Sequence, residues 1–391
     1  MSDPGFLIAD PRTFPAASSA PAPARNLYLL AEASLAAETG QRSDANDREL
    51  RNLLAARLTA DDASLAAAFS GAPSVAVVRH LWRALDAAWR EVETPVGAGL
   101  AVTVFAVPIV IVTGLESAQG DGTLSACLAD PARIASILVE FGALAGNRTI
   151  ALANVLVAAD AIDLARLPEI CAWGRLPDSL APGSCLPSHA LVPAPITFHA
   201  AREAVHLRFL VGTAIAKPGA DLLADTGVGK WGAPLIRELT RQLAVGGVSV
   251  LALPRAPQRL LPAVAQGRVA QREISAQIFA SNAIRKFRGA VGEPTAVISA
   301  HRASDVPGGG ELRLSLSSPL DPRAAEGFRC PLYPLDRVGD AVAMLVDLLR
   351  DCRVTDIRVL AGVHADRVAE TGLPLLFKPD TIPDATAVTV H

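Results

Sequence analysis

The chain has 391 residues, a formal net charge of −3, 51% hydrophobic residues and 19% charged residues. That excludes a chain left disordered for want of apolar burial and a coiled coil, which needs a sustained heptad rich in Ala, Glu, Lys, Leu and Arg. The near-neutral total gives no global attraction to nucleic acid or to an anionic membrane.

Residues 1–26, with the stretch PAASSAPAPAR, read as a disordered tail. The opening MSDPGFLIADPRTFP has no basic start and no apolar run, so no secretory signal is read. Cys127, Cys171, Cys185, Cys330 and Cys352 are sparse and odd in number, which favours a reduced compartment over a disulfide scaffold. Lysine is scarce while arginine and alanine abound, as GC-rich codon usage produces. The expectation is a cytoplasmic, bacterial protein.

Residues 27–70 carry Leu and Ala at helical spacing, with Asn46 or Asp47 placed to cap the second run. A helix from about Pro73 to Val92 has Val75, Val78, Leu81, Leu85 and Trp89 on one face. Next, Val96 to Leu115 is uncharged and long enough to be a membrane candidate. Its β-branched content, Pro108 and the absence of adjacent basic clusters favour two buried strands, about 100–107 and 109–113. A helix opening at Asp130-Pro131 and a strand over 149–157 follow.

Pro177, Pro182, Pro187, Pro193 and Pro195 exclude a helix or central strand, so 173–197 is predicted to be a linker between lobes 27–172 and 198–391. Strands are expected at 204–214, 248–253, 295–300, 311–318 and 356–363, with helices at 233–245, 268–288 and 336–352. A helix–strand–helix–strand series recurs after about 150 residues, which reads as a pseudo-duplication. The predicted fold class is α/β: two lobes of alternating helices and strands behind a helical N-terminal region, with a sheet at least partly parallel.

Three groups of residues carry candidate chemistry. Gly227, Gly229 and Gly232, with Lys230 between, fit G-x-G-x-x-G ahead of a helix, and Arg255 ends the next strand where a 2′-phosphate reader would sit. NADP or another nucleotide is what such a loop would take. The strand before the first glycine ends early and Trp231 is bulky for a phosphate turn, so no cofactor is assigned. Second, His301 and His364 each follow a strand, with Asp305 and Asp366 close by, a conceivable acid–base pair. Third, Arg268, Arg272, Arg285, Lys286 and Arg288 concentrate positive charge on one helix, with Glu273 the only acid between Arg255 and Arg288. Cys171, Cys185, His189 and His199 match no standard zinc spacing, so no metal is assigned.

No G-x-S-x-G elbow or protease cysteine signature is present. The reading is therefore a binding or assembly protein that meets an anionic partner through the Arg-rich helix. The partner is an acidic protein surface or a phosphate-bearing ligand, with nucleic acid disfavoured. The alternative is a nucleotide-dependent enzyme that uses the glycine loop with the strand-end histidines.

Overall fold

A computed structural model describes residues 8–14, 21–37, 40–60, 64–97, 99–114, 121–144, 150–176, 185–186, 194–199, 203–217, 227–243, 250–303, 309–318, 320–321, 324–364 and 387–389. The chain divides into two compact units. One is Ala16–Gln271, and the other joins Met1–Pro15 to Arg272–His391.

The first unit opens with helices α1 (Ala22–Leu35), α2 (Gly40–Thr59), α3 (Ser64–Ser70) and α4 (Val75–Glu91). Leu27, Tyr28 and Ala31 of α1, Leu50, Leu54 and Leu58 of α2, and Leu81, Leu85 and Ala88 of α4 are buried at three-to-four-residue spacing. Ser74 starts α4: its hydroxyl accepts from Val77 N–H at 3.3 Å, filling one of the amides a helix start leaves open. Asp47 does not cap α2 but lies inside it. Its carboxylate accepts from the Ser34 hydroxyl of α1 and pairs with His80 Nε2 of α4 at 2.8 Å, so one side chain ties three helices. The expected tail is also shorter than predicted, since α1 starts at Ala22 and Ala24 is buried.

The chain continues through β1 (Thr94–Gly97), β2 (Leu100–Thr113), β3 (Gly122–Leu124), α5 (Pro131–Glu140), β4 (Ile150–Ala158), α6 (Leu167–Ala172), β5 (Cys185–Leu186), β6 (Ile196–Phe198) and β7 (Ala204–Ala216). Then come α7 (Val228–Leu243), β8 (Val250–Pro254), β9 (Gln258–Arg259) and α8 (Leu260–Ala290). The main sheet runs β8–β2–β7–β4–β5, with β1 and β9 also on β2. β7 and β8 are both antiparallel to β2, and β4 is antiparallel to β7. So β2–α5–β4 and β7–α7–β8 each join two parallel strands that have an antiparallel strand between them. These are two split β-α-β units, interleaved in the ferredoxin-like order.

Helices α5 and α7 share one face of this sheet. Ile134 and Leu138 of α5 and Trp231, Leu235 and Leu239 of α7 join Phe105, Val107, Ile109, Leu152 and Leu210 in one apolar cluster. The first part of α8 approaches the other face at Gly267, where a Cβ would lie 3.0 Å from Leu207 and Phe209 carbons. Apolar cover on both sides explains why β2 is apolar at nearly every position. Gly212 of β7 serves close packing within the sheet itself: a Cβ there would sit 2.5 Å from the Ala151 carbonyl oxygen of β4.

Pro108 does not split β2, which is one strand of 14 residues. Its carbonyl accepts from Arg255 N–H at 2.8 Å, just beyond the end of β8 and before β9. The amide hydrogen that proline lacks would point to the same side, into the break between those two short partners. The β7 ladder on the opposite side is intact. The uncharged run 96–115 thus falls mainly in β1 and β2, and no described helix is long and apolar enough to cross a membrane.

Two organisational expectations are corrected. The Pro-rich stretch 173–197, much of it outside the described residues, does not divide the chain: β7 after it pairs with β2 and β4 before it. The division falls inside α8, between Gln271 and Arg272. Only the short β5 and the start of β6 are strands among the described residues of 173–197, and the prolines there do not prevent the flanking strands from pairing. The pseudo-duplication is not realised either. β2 and its supposed equivalent β8 pair with each other, and the strand matched to β4 belongs to the other unit.

In the second unit the rest of α8 leads to β10 (Thr295–Arg302), β11 (Gly310–Ser317), β12 (Ala325–Leu332), α9 (Val338–Asp351), β13 (Ile357–His364) and β14 (Ala387–Thr389). The sheet order is β12–β11–β10–β13–β14. Among the described residues, only β10–β13 here and β4–β5 in the first unit pair in parallel. Ala276, Ala280, Ile284 and Phe287 of α8 and Val342, Leu345 and Leu349 of α9 pack on Ile298, Ala300, Leu312, Leu314 and Leu316. Residues 8–14 contribute as well. Buried Arg12 donates to the Tyr333 and Asp336 carbonyls at 2.6 and 3.0 Å, so this part of the expected tail is docked.

Candidate functional site

The helix face of the second sheet is apolar, but its opposite face is not. Along β11, Glu311, Arg313, Ser315 and Ser317 alternate with Leu312, Leu314 and Leu316, and all eight residues of the strand are buried. Register places His301 beside Glu311 and Ser299 beside Arg313, with Arg329 of β12 on the other side of Arg313. Cross-strand partners share a face, so these side chains form one polar surface.

The ladder between β10 and β13 slips where Ser299 of β10 opposes three residues of β13, Leu360 to Gly362, and Gly362 adopts φ 78° within that bulge. Beyond it His301 and His364 are register partners, with ring centroids 5.9 Å apart and planes tilted by 41°. Ser299 Oγ and His301 Nε2 lie 2.8 Å apart, and both residues are buried. Glu311 Oε1 accepts from Arg313 Nε and its Oε2 from Arg329 Nε, each at 2.6 Å. Burial lowers the His364 pKa from its ordinary value because desolvation disfavours the cation. The site grades outward: the side chains of Glu311 and Arg313 are 4% and 5% exposed, that of Arg329 40%. On the apolar side of β12, burial pushes the Cys330 thiol up to about 12, which leaves it a packing group rather than a nucleophile.

Of the sequence candidates, His301 and His364 come together. Asp305 and Asp366 lie outside the described residues. Ser299, Glu311, Arg313 and Arg329 were not anticipated. For Glu311 and Arg313 the signal was the polar–apolar alternation of ELRLSLSS, which fits an exposed face equally well, and Ser299 and Arg329 lie outside that run.

The glycine motif takes a different form from the one expected. Gly229, Lys230 and Gly232 lie within the first turns of α7, Gly227 precedes it, and Trp231 is buried in the core. The helix joins two strands separated by β2, whereas a dinucleotide fingerprint joins adjacent parallel strands. Arg255 follows β8 and its amide bonds Pro108.

The Arg-rich helix is largely engaged. Arg272 is buried and pairs with Asp336, so it does not belong to an exposed stripe. Lys286 pairs with Glu326, Arg288 pairs with Glu293 at 2.8 Å, and Arg285 donates to the Asn282 side chain at 2.7 Å. Arg268 also has an interaction partner. No group of three or more His, Cys, Asp or Glu suited to a metal occurs among the described residues.

A scan against protein-family models finds no match, and searches of the curated proteins and of the solved structures find none either. The functional reading therefore rests on the chemistry of the site.

Proposed function

We propose that this chain is a binding protein for a small ligand bearing a phosphate or carboxylate, and that its site is the polar face of β10, β11, β12 and β13. One observation carries the reading. The same strands present apolar residues to α8 and α9, with Glu326 at the start of β12 the exception, yet bury Ser299, His301, Glu311, Arg313 and Ser315 on the other side. Buried charge contributes less to stability than apolar packing of similar volume, so packing alone does not account for this face. A planar guanidinium fork matches carboxylate and phosphate oxygens, and half-exposed Arg329 is the one a ligand from solvent meets. The adjoining His301–His364 pair supplies groups able to exchange a proton with the ligand, which keeps an acid–base role open to the same site.

The test is calorimetric titration of the full chain with nucleotides, sugar phosphates and dicarboxylates. The expected result is saturable binding by one class, weakened tenfold or more by Arg329→Gln and by His364→Gln while the circular dichroism spectrum is unchanged. Binding that ignores both substitutions, or no binding by any class, overturns the proposal.

A second reading keeps the anionic partner on α8. Arg285, Lys286 and Arg288 are exposed, and an acidic protein surface could exchange with Glu326 and Glu293 for them. Reversing Arg285 and Arg288 to Glu should then abolish capture of that partner and leave folding intact. Unaltered capture removes this reading.

A further inference from the structure

The N-terminal sheet holds a second concentration of buried polar groups, on the first part of β7. On the face that packs against α5 and α7, β7 supplies Leu210, Ala214 and Ala216 to the core. The same face continues toward the start of the strand with Arg208 and then His206, which sit opposite Ile109 and Ile111 of β2. Arg208 is 9% exposed. Its Nη1 donates to the Leu207 carbonyl at 3.0 Å, and its Nη2 donates to the Ala194 and Pro195 carbonyls at 3.4 and 3.2 Å. Its Nε has no partner, and among the described residues no carboxylate hydrogen-bonds it. Two positions away on the same face, His206 Nε2 is also buried without a partner.

An unneutralised guanidinium costs several kcal/mol to bury, and carbonyl dipoles offset that only in part. The guanidinium pKa is accordingly lowered, by burial first, with Asp160 opposing through space. The imidazole of His206 is held below its ordinary value by burial and by Arg208, with a further repulsion from His199, which itself sits 3.2 Å from Asp121. A bound anion would relieve both groups together, whereas an apolar ligand would relieve neither.

We propose that Arg208 and His206 form a site for a tetrahedral oxyanion, either inorganic phosphate or the phosphate of a phosphomonoester. Arg208 Nε donates one bond, and His206 Nε2 donates a second once the imidazole takes up a proton. The fixed carbonyl contacts of Arg208 hold its plane, so the donor edge is already oriented. This site belongs to the Ala16–Gln271 unit and does not depend on the polar face of β10 to β13.

The experiment titrates the full chain with inorganic phosphate at pH 6 and constant ionic strength, with chloride as the reference anion and heat as the readout. Saturable binding is expected, weakened tenfold or more by Arg208→Gln and several-fold by His206→Gln, and unchanged by Arg329→Gln. No saturable binding in the parent chain overturns the proposal. So does parent-like affinity in Arg208→Gln, or a loss confined to Arg329→Gln, which would move phosphate to the other face. Should Arg208→Gln fail to fold, His206→Gln decides alone, and unchanged affinity in it overturns the proposal. Glycerol phosphate is the second arm: displacement of phosphate assigns the site to an ester, and failure to displace assigns it to the free ion.

Discussion

The two sheets solve burial in opposite ways. In the first, β2 is buried along almost its whole length and is apolar toward both sides, with α5 and α7 on one face and the first part of α8 against the other. In the second, β11 is buried just as completely, but every alternate side chain is polar or charged. Burial alone therefore does not separate scaffold from site. The chemistry of what is buried does, because a sequence that supplies Leu312, Leu314 and Leu316 to one face had apolar residues available for the other. The first sheet departs from its own rule at a few points only, among them Arg208 and the buried pair Glu93–Arg259.

The largest expected effect is a way to break this contrast at that pair. Glu93 and Arg259 have side chains 2% and 10% exposed. Glu93→Leu strands a buried guanidinium and should cost about 3–5 kcal/mol in urea unfolding. Glu93→Leu with Arg259→Met should recover most of that loss. A double variant no better than the single would mean that the pair is stabilising in its own right and that the first sheet depends on buried charge as the second does.

The short strands β1, β5, β9 and β14 carry no local mark, but the positions of β2, β4, β7, β8, β10, β11 and β13 were legible from sequence because apolar runs and strand-end glycines mark them locally. Their partners were not. The spacing of β2, β4, β7 and β8 fits adjacent parallel strands as well as the interleaved antiparallel order observed, and only tertiary packing decides between them. Pro108 reads as a break until β8 and β9 are seen to leave a gap beside it. β12 was missed because Gly327 and Pro331 weaken its strand signature. The histidine pair was legible because each member ends a strand. Glu311 and Arg313 were not, since alternation says nothing about whether the polar face is wet. The ion pairs of the Arg-rich helix were not legible because their acids lie far along the chain: Asp336 for Arg272 and Glu326 for Lys286.

A smaller effect sharpens the comparison within one strand. Leu314→Ala opens a cavity between the sheet and its helices and should cost about 3 kcal/mol. Ser315→Ala, the next residue and on the other face, should cost about 1 kcal/mol, the net worth of a hydrogen bond. Equal losses at the two positions in denaturant titrations would show that the polar face is as tightly packed as the apolar one, and would weaken its assignment as a binding surface.

The smallest effect is a pH dependence that sets the two sheets against each other. His364 in the second sheet and His206 in the first both have pKa values lowered from 6.5, in each case chiefly by burial. A base with a depressed folded value binds fewer protons folded than unfolded. The stability linked to each is therefore fully present above the ordinary value and is lost as pH falls through the folded value. Glu93 acts in the opposite sense. Desolvation raises its pKa from 4.5 despite Arg259, so the folded state retains a proton that the unfolded state releases, and stability declines as pH rises from 4.5 through the folded value. Thermal midpoints should thus fall on acidification below about pH 6.5, less steeply in His364→Gln and less again with His206→Gln added. In that double variant the Glu93 slope is left exposed, so stability should decline slightly as pH rises above 4.5. A parent-like acid slope in the double variant would assign the pH dependence to carboxylates elsewhere and remove the two histidines as its source.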